Sequence, residues 1–472
     1  MNSQTNPKIL LINLPHKTPV IRRYQCSFNS HFFLFPPFEL LNIAGSLKAA
    51  DLDNYKLIDC IAEKIGFSKL CQLIAEYNPD YIITMTGFEI FGADIEKIKL
   101  LKSKFSNKRF ILFGYYPSLF YKEIFDYTNI DFIAAGEPEY RIVDIIKKRQ
   151  TLFSDGILNK NDVHKKIDYK GLARITELDA LPYPDYSAVD LKKYSEPFRK
   201  KPFASIYTSR GCAFKCSYCI HSYGERYYQM SAEAVLKKIK YLVENYKIKS
   251  LRFMDDNFTT DRKRLTTICS ELKTAKLNKK LSWSCLSRID CLDKELIELL
   301  AKAECKRIYI GIETLDTSTC RIFNKEYSFN TQKINAILNS MNKNRIESFS
   351  FLLLDYDTEL NLKNKVNEFL KLKLDFISIC KLIIYPETCL FEKFKDNIDF
   401  NIIPYKNNFL DGDYEKYSVK IENYALLKFY SMPCNLLKIL VRFIKCPALT
   451  FIIIIKFIKY YFCQAETKQD FI

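Results

Sequence analysis

The residues best suited to chemistry lie in one short segment, TSRGCAFKCSYCIHSYG, where Cys212, Cys216 and Cys219 stand at C-x3-C-x2-C spacing. Three thiolates from one loop suit an iron–sulfur cluster better than closed zinc, which takes four ligands. Three cysteines on a four-iron cluster leave one iron free for an outside ligand, which is an open catalytic position rather than a sealed structural one. The competing readings are a zinc loop that recruits His221, two residues after Cys219, and three unliganded thiols. Charged residues recur at the ends of the strands expected downstream: Asp255 and Asp256 in FMDDNF, Arg288 in LSRID and Glu313 in GIET. Such residues are commonly just solvated, so their weight comes from the cysteine loop they accompany.

The elements that must position these groups alternate. Strands are expected at 203–208, 249–254, 281–287, 307–312, 348–354 and 376–384, with helices between them, such as 231–246 and 331–343. Six strand–helix units predict a full or partial parallel barrel, whose chemistry sits at the carboxyl ends of its strands. An earlier series has strands at 8–14, 56–59, 80–86, 109–113 and 130–134, and helices at 67–77, 93–105 and from about 139. It predicts a doubly wound parallel sheet, with ligands at its strand ends, where Thr84, Thr86, Gly114, Ser118, Gly136 and Glu137 fall. The expected fold is therefore α/β. An N-terminal sheet domain (1–150) and a linker (151–200) precede a partial barrel (201–394), and a helical basic tail (395–472) follows.

The cysteine loop resembles that of the radical S-adenosylmethionine (SAM) superfamily. The resemblance rests on the spacing, the flanking Arg210-Gly211, the preceding strand and the aromatic Tyr218. It implies a [4Fe-4S] cluster on Cys212, Cys216 and Cys219, with SAM chelated at the open iron and cleaved to a 5′-deoxyadenosyl radical. It further implies that Tyr218 lies against the adenine, Arg288 pairs with the SAM carboxylate and Glu313 binds its ribose or amino group. A zwitterionic, ribose-bearing cofactor needs a cation and acceptors of this kind around the iron. Asp255 and Asp256 look like the acidic strand end of radical enzymes with an N-terminal cobalamin-binding domain, and are candidates for catalysis on the substrate. YPET (385–388) with Leu390 resembles the family's Pro-x-T-x-L segment.

The first domain resembles the cobalamin-binding domain of that group through Thr84 and Thr86, Gly114, Ser118 and GEPEY (136–140). Cobalamin is the third cofactor implied, and methylation of an unactivated centre is then the expected outcome. Radical cyclisation or rearrangement is the alternative, and a metal-bearing membrane- or RNA-docking protein is the reading outside enzymes. The sequence departs from the family in three places. NLPHKTP (13–19) lacks the D-x-H-x-x-G signature, so His16 is expected to be an ordinary loop residue. Tyr115 follows Gly114 where close backbone approach would favour a second glycine. FLLLDYDTEL (351–360) carries Asp355 and Asp357 where a Gly-x-Pro turn is usual.

Composition bounds the rest. Hydrophobic residues make up 48% of 472, which excludes a disordered chain. Sixteen cysteines without a visible secretory signal point to a reducing cytoplasm, where thiols are free or metal-bound. The net charge of +17 comes without an Arg-rich run or finger spacing, so no nucleic-acid partner is expected. No acidic residue occurs between Ala425 and Ala465, and FIIIIKFIKYYF (451–462) is apolar but too short and too charged to span a bilayer. Packing on the protein, or contact with the inner membrane face as a basic apolar helix, are its two readings. The expected partners are a small or lipid-like substrate and an external electron donor such as flavodoxin or ferredoxin.

Overall fold

Ile9–Asn13 is almost wholly apolar and completely buried, the mark of a strand covered on both faces. In the computed structural model, which describes residues 6–29, 33–224, 226–325, 330–401, 406–409, 412–445 and 451, it is β1, near the centre of the first sheet. The chain continues through β2 (Val20–Arg22), β3 (Ser27–Asn29), β4 (Tyr55–Asp59), β5 (Tyr81–Met85), β6 (Arg109–Phe113), β7 (Phe132–Ala134) and β8 (Ile157–Asn159). The sheet order is β4-β1-β5-β6-β7-β8. All pairings are parallel except β7 with β8. This is the expected doubly wound sheet, with one addition: β8 lies inside the stretch read as linker. Three residues are too few to display a period.

The second sheet contains β9 (Phe203–Ile206), then β12 (Ser250–Phe253), β13 (Ser282–Arg288), β14 (Cys305–Glu313), β15 (Glu347–Leu354) and β16 (Phe376–Lys381). It is parallel throughout, in the order β16-β15-β14-β13-β12-β9. Between β9 and β12, the short antiparallel pair β10 (Ser209–Arg210) and β11 (Tyr228–Gln229) closes the cysteine loop at its base. The partial barrel is thus as expected. Its amino-terminal end is plugged by Glu196, which accepts from Arg252 at 2.9 Å, Ser284 at 3.0 Å and Tyr309 at 2.7 Å. That end serves stability, and the opposite end is left for chemistry.

The tail contributes a small hairpin, Ile398–Asn401 with Lys406–Phe409, and the helices Gly412–Ser431 and Pro433–Lys445. Apart from Phe451, the apolar stretch 451–462 lies outside the described residues. Among the described residues no helix is long and apolar enough to cross a membrane.

Candidate active site

The cysteine loop is positioned by its backbone. Gly211 opens it at φ +78°, and a Cβ there would lie 2.0 Å from the Arg226 carbonyl oxygen, so only glycine lets the two ends of the loop close. In the middle of the loop, the Ser217 amide donates to Phe323 O at 3.0 Å, and the Ser217 carbonyl accepts from Leu390 N at 3.0 Å. The second of these bonds comes from the YPET-containing segment, where Thr388 caps the helix Cys389–Phe394 by accepting from Phe391 N. Asn324 Nδ2 donates to Lys215 O at 2.7 Å. The loop is therefore held from the segments that follow β14 and β16, by these backbone bonds and by Ser217 Oγ, which donates to Ile322 O at 2.6 Å.

Cys212 and Cys216 are partly exposed and Cys219 is exposed. Among the described residues no three His, Cys, Asp or Glu side chains are set around a single ion. Burial pushes the Cys212 thiol up to about 11, and Cys219 higher. Metal binding must therefore displace these protons, which couples cluster loading to pH.

Two cations face the thiols. Arg288 at the end of β13 lies with Nη1 3.3 Å from Cys216 Sγ, stacks 4.0 Å from the Phe214 ring and pairs with Asp290 at 2.7 Å. Lys325 is ion-paired with Glu313. Burial pulls its ammonium down to about 8, against the nearby Cys216 thiol, which favours its charge. Glu313 adopts φ +61° where the β14–β15 register slips, and strained backbone of this kind clusters at ligand sites. Tyr218 packs on Phe323 at 4.8 Å. Arg288, Glu313, Tyr218 and the three cysteines thus share one end of the barrel.

The two aspartates of FMDDNF part company. Asp255 is fully buried and accepts from Thr208 N at 2.6 Å and Thr208 Oγ1 at 2.5 Å, clamping β12 to the segment after β9. Asp256 turns toward the first domain, where Gln25 Nε2 donates to it at 2.9 Å and Arg23 Nη2 stands 3.8 Å away. Burial raises its carboxyl, while Arg23 and the Gln25 bond lower it. Asp355 and Asp357, which replace the usual turn, grip Lys365 at 2.6 and 2.9 Å.

Arg23, Gln25 and Cys26 lie between β2 and β3, a hairpin of three-residue strands that no periodicity announced. Glu89 joins them from the segment after β5. It accepts from Ser27 N at 2.9 Å and from the Tyr385 hydroxyl at 3.0 Å, and burial brings its carboxyl up to about 7. Glu89 and Cys219 lie deep in the protein yet carry accessible surface, and Cys26, Asp256 and Tyr385 are partly accessible at similar depth. The bonds from Gln25 to Asp256, from Ser27 to Glu89 and from Tyr385 to Glu89 bring these groups together where the hairpin meets the barrel mouth.

The strand-end residues of the first domain are engaged within the protein. Thr84 Oγ1 donates to Ile12 O at 2.9 Å, and Thr86 Oγ1 to Asp94 at 3.0 Å. Ser118 Oγ donates to Gly114 O at 2.7 Å and accepts from Gly136 N at 3.1 Å. Glu137 accepts from Ile175 N at 2.8 Å and from Arg210 at 2.5 Å, while Arg210 also pairs with Glu139. Arg210, just before the cysteine loop, thereby ties the loop to the first domain. Tyr115 is buried edge-on to Tyr169, which bonds Tyr24. Near this seam the Ser27 and Ser222 hydroxyls and Arg174 Nη1 are buried without a hydrogen-bond partner. Orphaned groups of this kind suit an amide-rich ligand. His16 bonds within its own loop, to Thr18 O and Oγ1 at 3.1 Å each.

The molecule is thus a doubly wound domain followed by a partial barrel that carries three cysteines at its mouth. Residues 206–358 match the profile of the radical SAM superfamily; this part of the chain is a radical SAM domain, which implies enzymatic use of a [4Fe-4S] cluster and SAM. The chain is 26% identical over 398 residues to an uncharacterized methyltransferase, PH0819, of Pyrococcus horikoshii, covering 82% of each chain. It is 24% identical over 385 residues to the anaerobic magnesium-protoporphyrin IX monomethyl ester cyclase of Cereibacter sphaeroides, covering 77% of this chain and 61% of that one. In fold it is similar to OxsB, a cobalamin-dependent SAM radical enzyme solved with aqua-cobalamin and SAM bound (TM-score 0.67, 17% identity, 88% of this chain and 66% of that one). It is also similar to the methyltransferase TsrM of Kitasatospora setae, solved with cobalamin and a [4Fe-4S] cluster bound (TM-score 0.62, 14% identity, 83% and 75%).

Proposed function

We propose that this enzyme methylates an unactivated centre of a small or lipid-like molecule, with cobalamin at the domain seam. The observation that supports this reading is the junction at which the first domain's hairpin and Glu89 meet Asp256 and Tyr385 at the mouth of the cysteine-bearing barrel. When bound, the cluster delivers the electron that cleaves SAM to a 5′-deoxyadenosyl radical, and cobalamin supplies the methyl group.

The chain's own residues do the rest. Cys212, Cys216 and Cys219 hold three irons, and Arg288 and Lys325 offset the charge of the thiolates and of the SAM carboxylate. Glu313, placed by its left-handed backbone, orients the amino or ribose side of SAM. Tyr218, packed on Phe323, would lie against the adenine. Asp256 and Glu89 are the carboxylates offered to the substrate at this junction. Tyr385 and Gln25 fix their carboxylates, and Glu89, poised near 7, exchanges a proton with a substrate hydroxyl or amine. Asp255 holds Thr208 rather than reacting. An external one-electron donor such as flavodoxin or ferredoxin, and a cytoplasmic setting, belong to this proposal. A peripheral position on the inner membrane face belongs to it too, and the C-terminal helix offers the surface for that contact.

Anaerobic reconstitution tests the reading. We expect about four irons per chain, 5′-deoxyadenosine on reduction with dithionite, and loss of both in Cys216→Ser. Added hydroxocobalamin should bind and shift its visible spectrum. A product one methylene heavier, with S-adenosylhomocysteine released, identifies methylation. A product of changed connectivity without S-adenosylhomocysteine identifies cyclisation, the reading favoured by the similarity to the anaerobic cyclase. One zinc and no deoxyadenosine would end the proposal.

A further inference from the structure

The helix Pro433–Lys445 is amphipathic in the reverse of the usual sense. Its polar residues face the protein. Asn435 is buried and donates to Phe429 O at 2.9 Å, Lys438 pairs with Asp375 at 2.7 Å, and Arg442 reaches Glu347 at 3.3 Å while stacking 4.2 Å from the Phe376 ring. These positions, at i, i+3 and i+7, form one face. The opposite face is apolar and open: Leu436 is 52% exposed, Leu437 60%, Leu440 55%, Val441 41% and Ile444 72%. A continuous exposed apolar stripe on a docked helix is not what water-facing surfaces tolerate, and it marks a contact surface.

We infer that this leucine face docks on an anionic lipid bilayer. Charge argues for that occupant. From Ala425 to Ala465 the chain carries Lys428, Lys445, Lys456 and Lys459 beside the ion-paired Lys438 and Arg442, with no acidic residue, and five residues separate the helix from FIIIIKFIKYYF. Apolar area beside the lysines of this acid-free stretch is the composition of a helix lying in the interface of a negatively charged leaflet. Ion pairs to Asp375 and Glu347 anchor the helix to the barrel, so the whole enzyme is held when the face is buried. The inference does not rest on the methylation reading.

Full-length protein is floated with vesicles of phosphatidylcholine plus phosphatidylglycerol, and with phosphatidylcholine alone. The expected result is flotation with the anionic vesicles, weakened by added salt. In Leu437→Glu/Leu440→Glu, and in the gentler Leu437→Gln/Leu440→Gln, bound protein should fall about tenfold or more. Leu152→Glu/Leu360→Glu, which alters exposed leucines elsewhere, should float as wild type. SAM cleavage in solution should be unchanged in all three, which separates this test from that of the catalytic reading. Three results would overturn the inference: absence of flotation, equal flotation of the face variants and wild type, or a wild-type dimer by light scattering that the face variants convert to monomer. The last would assign the face to a second copy of the chain.

Discussion

Replacing Arg210 with Met removes the one cation that joins two buried carboxylates across the domain seam. Arg210 is 6% exposed, and its partners Glu137 and Glu139 are 2% and 3%. Glu137 keeps its bond from Ile175 N, but Glu139 Oε2 already lacks a partner. Truncating one member of a buried pair costs about 3–5 kcal/mol, because the charge left behind has neither water nor counter-ion. Two carboxylates share this cation, so the upper part of that range applies. At roughly 2–4 °C per kcal/mol the melting transition should fall by about 6–20 °C. Calorimetry reads that fall, and proteolysis within 151–200 should quicken as the seam opens. Because Arg210 stands two residues before Cys212, iron retention after reconstitution should fall in parallel. The triple variant Arg210→Met/Glu137→Gln/Glu139→Gln isolates the cause. With no stranded charge it should regain more than half of the lost stability. The reasoning fails if Arg210→Met lies within about 1 kcal/mol of wild type, or if the triple variant is as unstable as the single one.

Lys238 gives a pH test. It is 4% exposed, and burial lowers its ammonium from 10.5 to about 8, helped by the nearby Arg210. A depressed folded-state value for a cation means that the cost of charge is borne in full below pH 8 and relieved as pH rises toward 10.5. Lys238→Met should therefore raise stability at pH 7 by up to about 3 kcal/mol, and should show a smaller rise than wild type between pH 8 and 10. Parallel denaturation profiles for the two proteins would contradict this. Gly114→Ala should destabilise the first domain by about 1–3 kcal/mol. Its φ is +133°, and the new Cβ would meet the Thr86 carbonyl oxygen at 2.5 Å. A melting point equal to wild type would show that the turn relaxes.

Legibility followed length and period. The helices Phe67–Tyr77 and Thr331–Lys343 and the strand Arg109–Phe113 lie where hydrophobic spacing put them. The helix Phe38–Ala49 drew no expectation. Nearly all of it is buried, including Glu39, so there is no polar face against which to see an apolar one. The β2–β3 hairpin was missed because three-residue strands hold too few alternations to register. The site divides in the same way. Cys212, Cys216 and Cys219 were visible because one loop carries them all. Glu89 and Gln25 were not, because what matters about them is what stands opposite, Tyr385 and Asp256, hundreds of residues away.

From its residues alone, then, this protein declared a three-thiolate loop, two parallel-sheet domains and a basic apolar tail, since each is a local matter of ligand spacing, strand period or composition. Only the folded chain separated Asp255, locked on Thr208, from Asp256, which accepts from Gln25 of the first domain. It also turned the arginine before the loop into a bridge between domains, and it pointed the leucines of the last described helix outward. Burial and counter-ions decide what a charged or apolar side chain does, and both are set by residues distant in the chain.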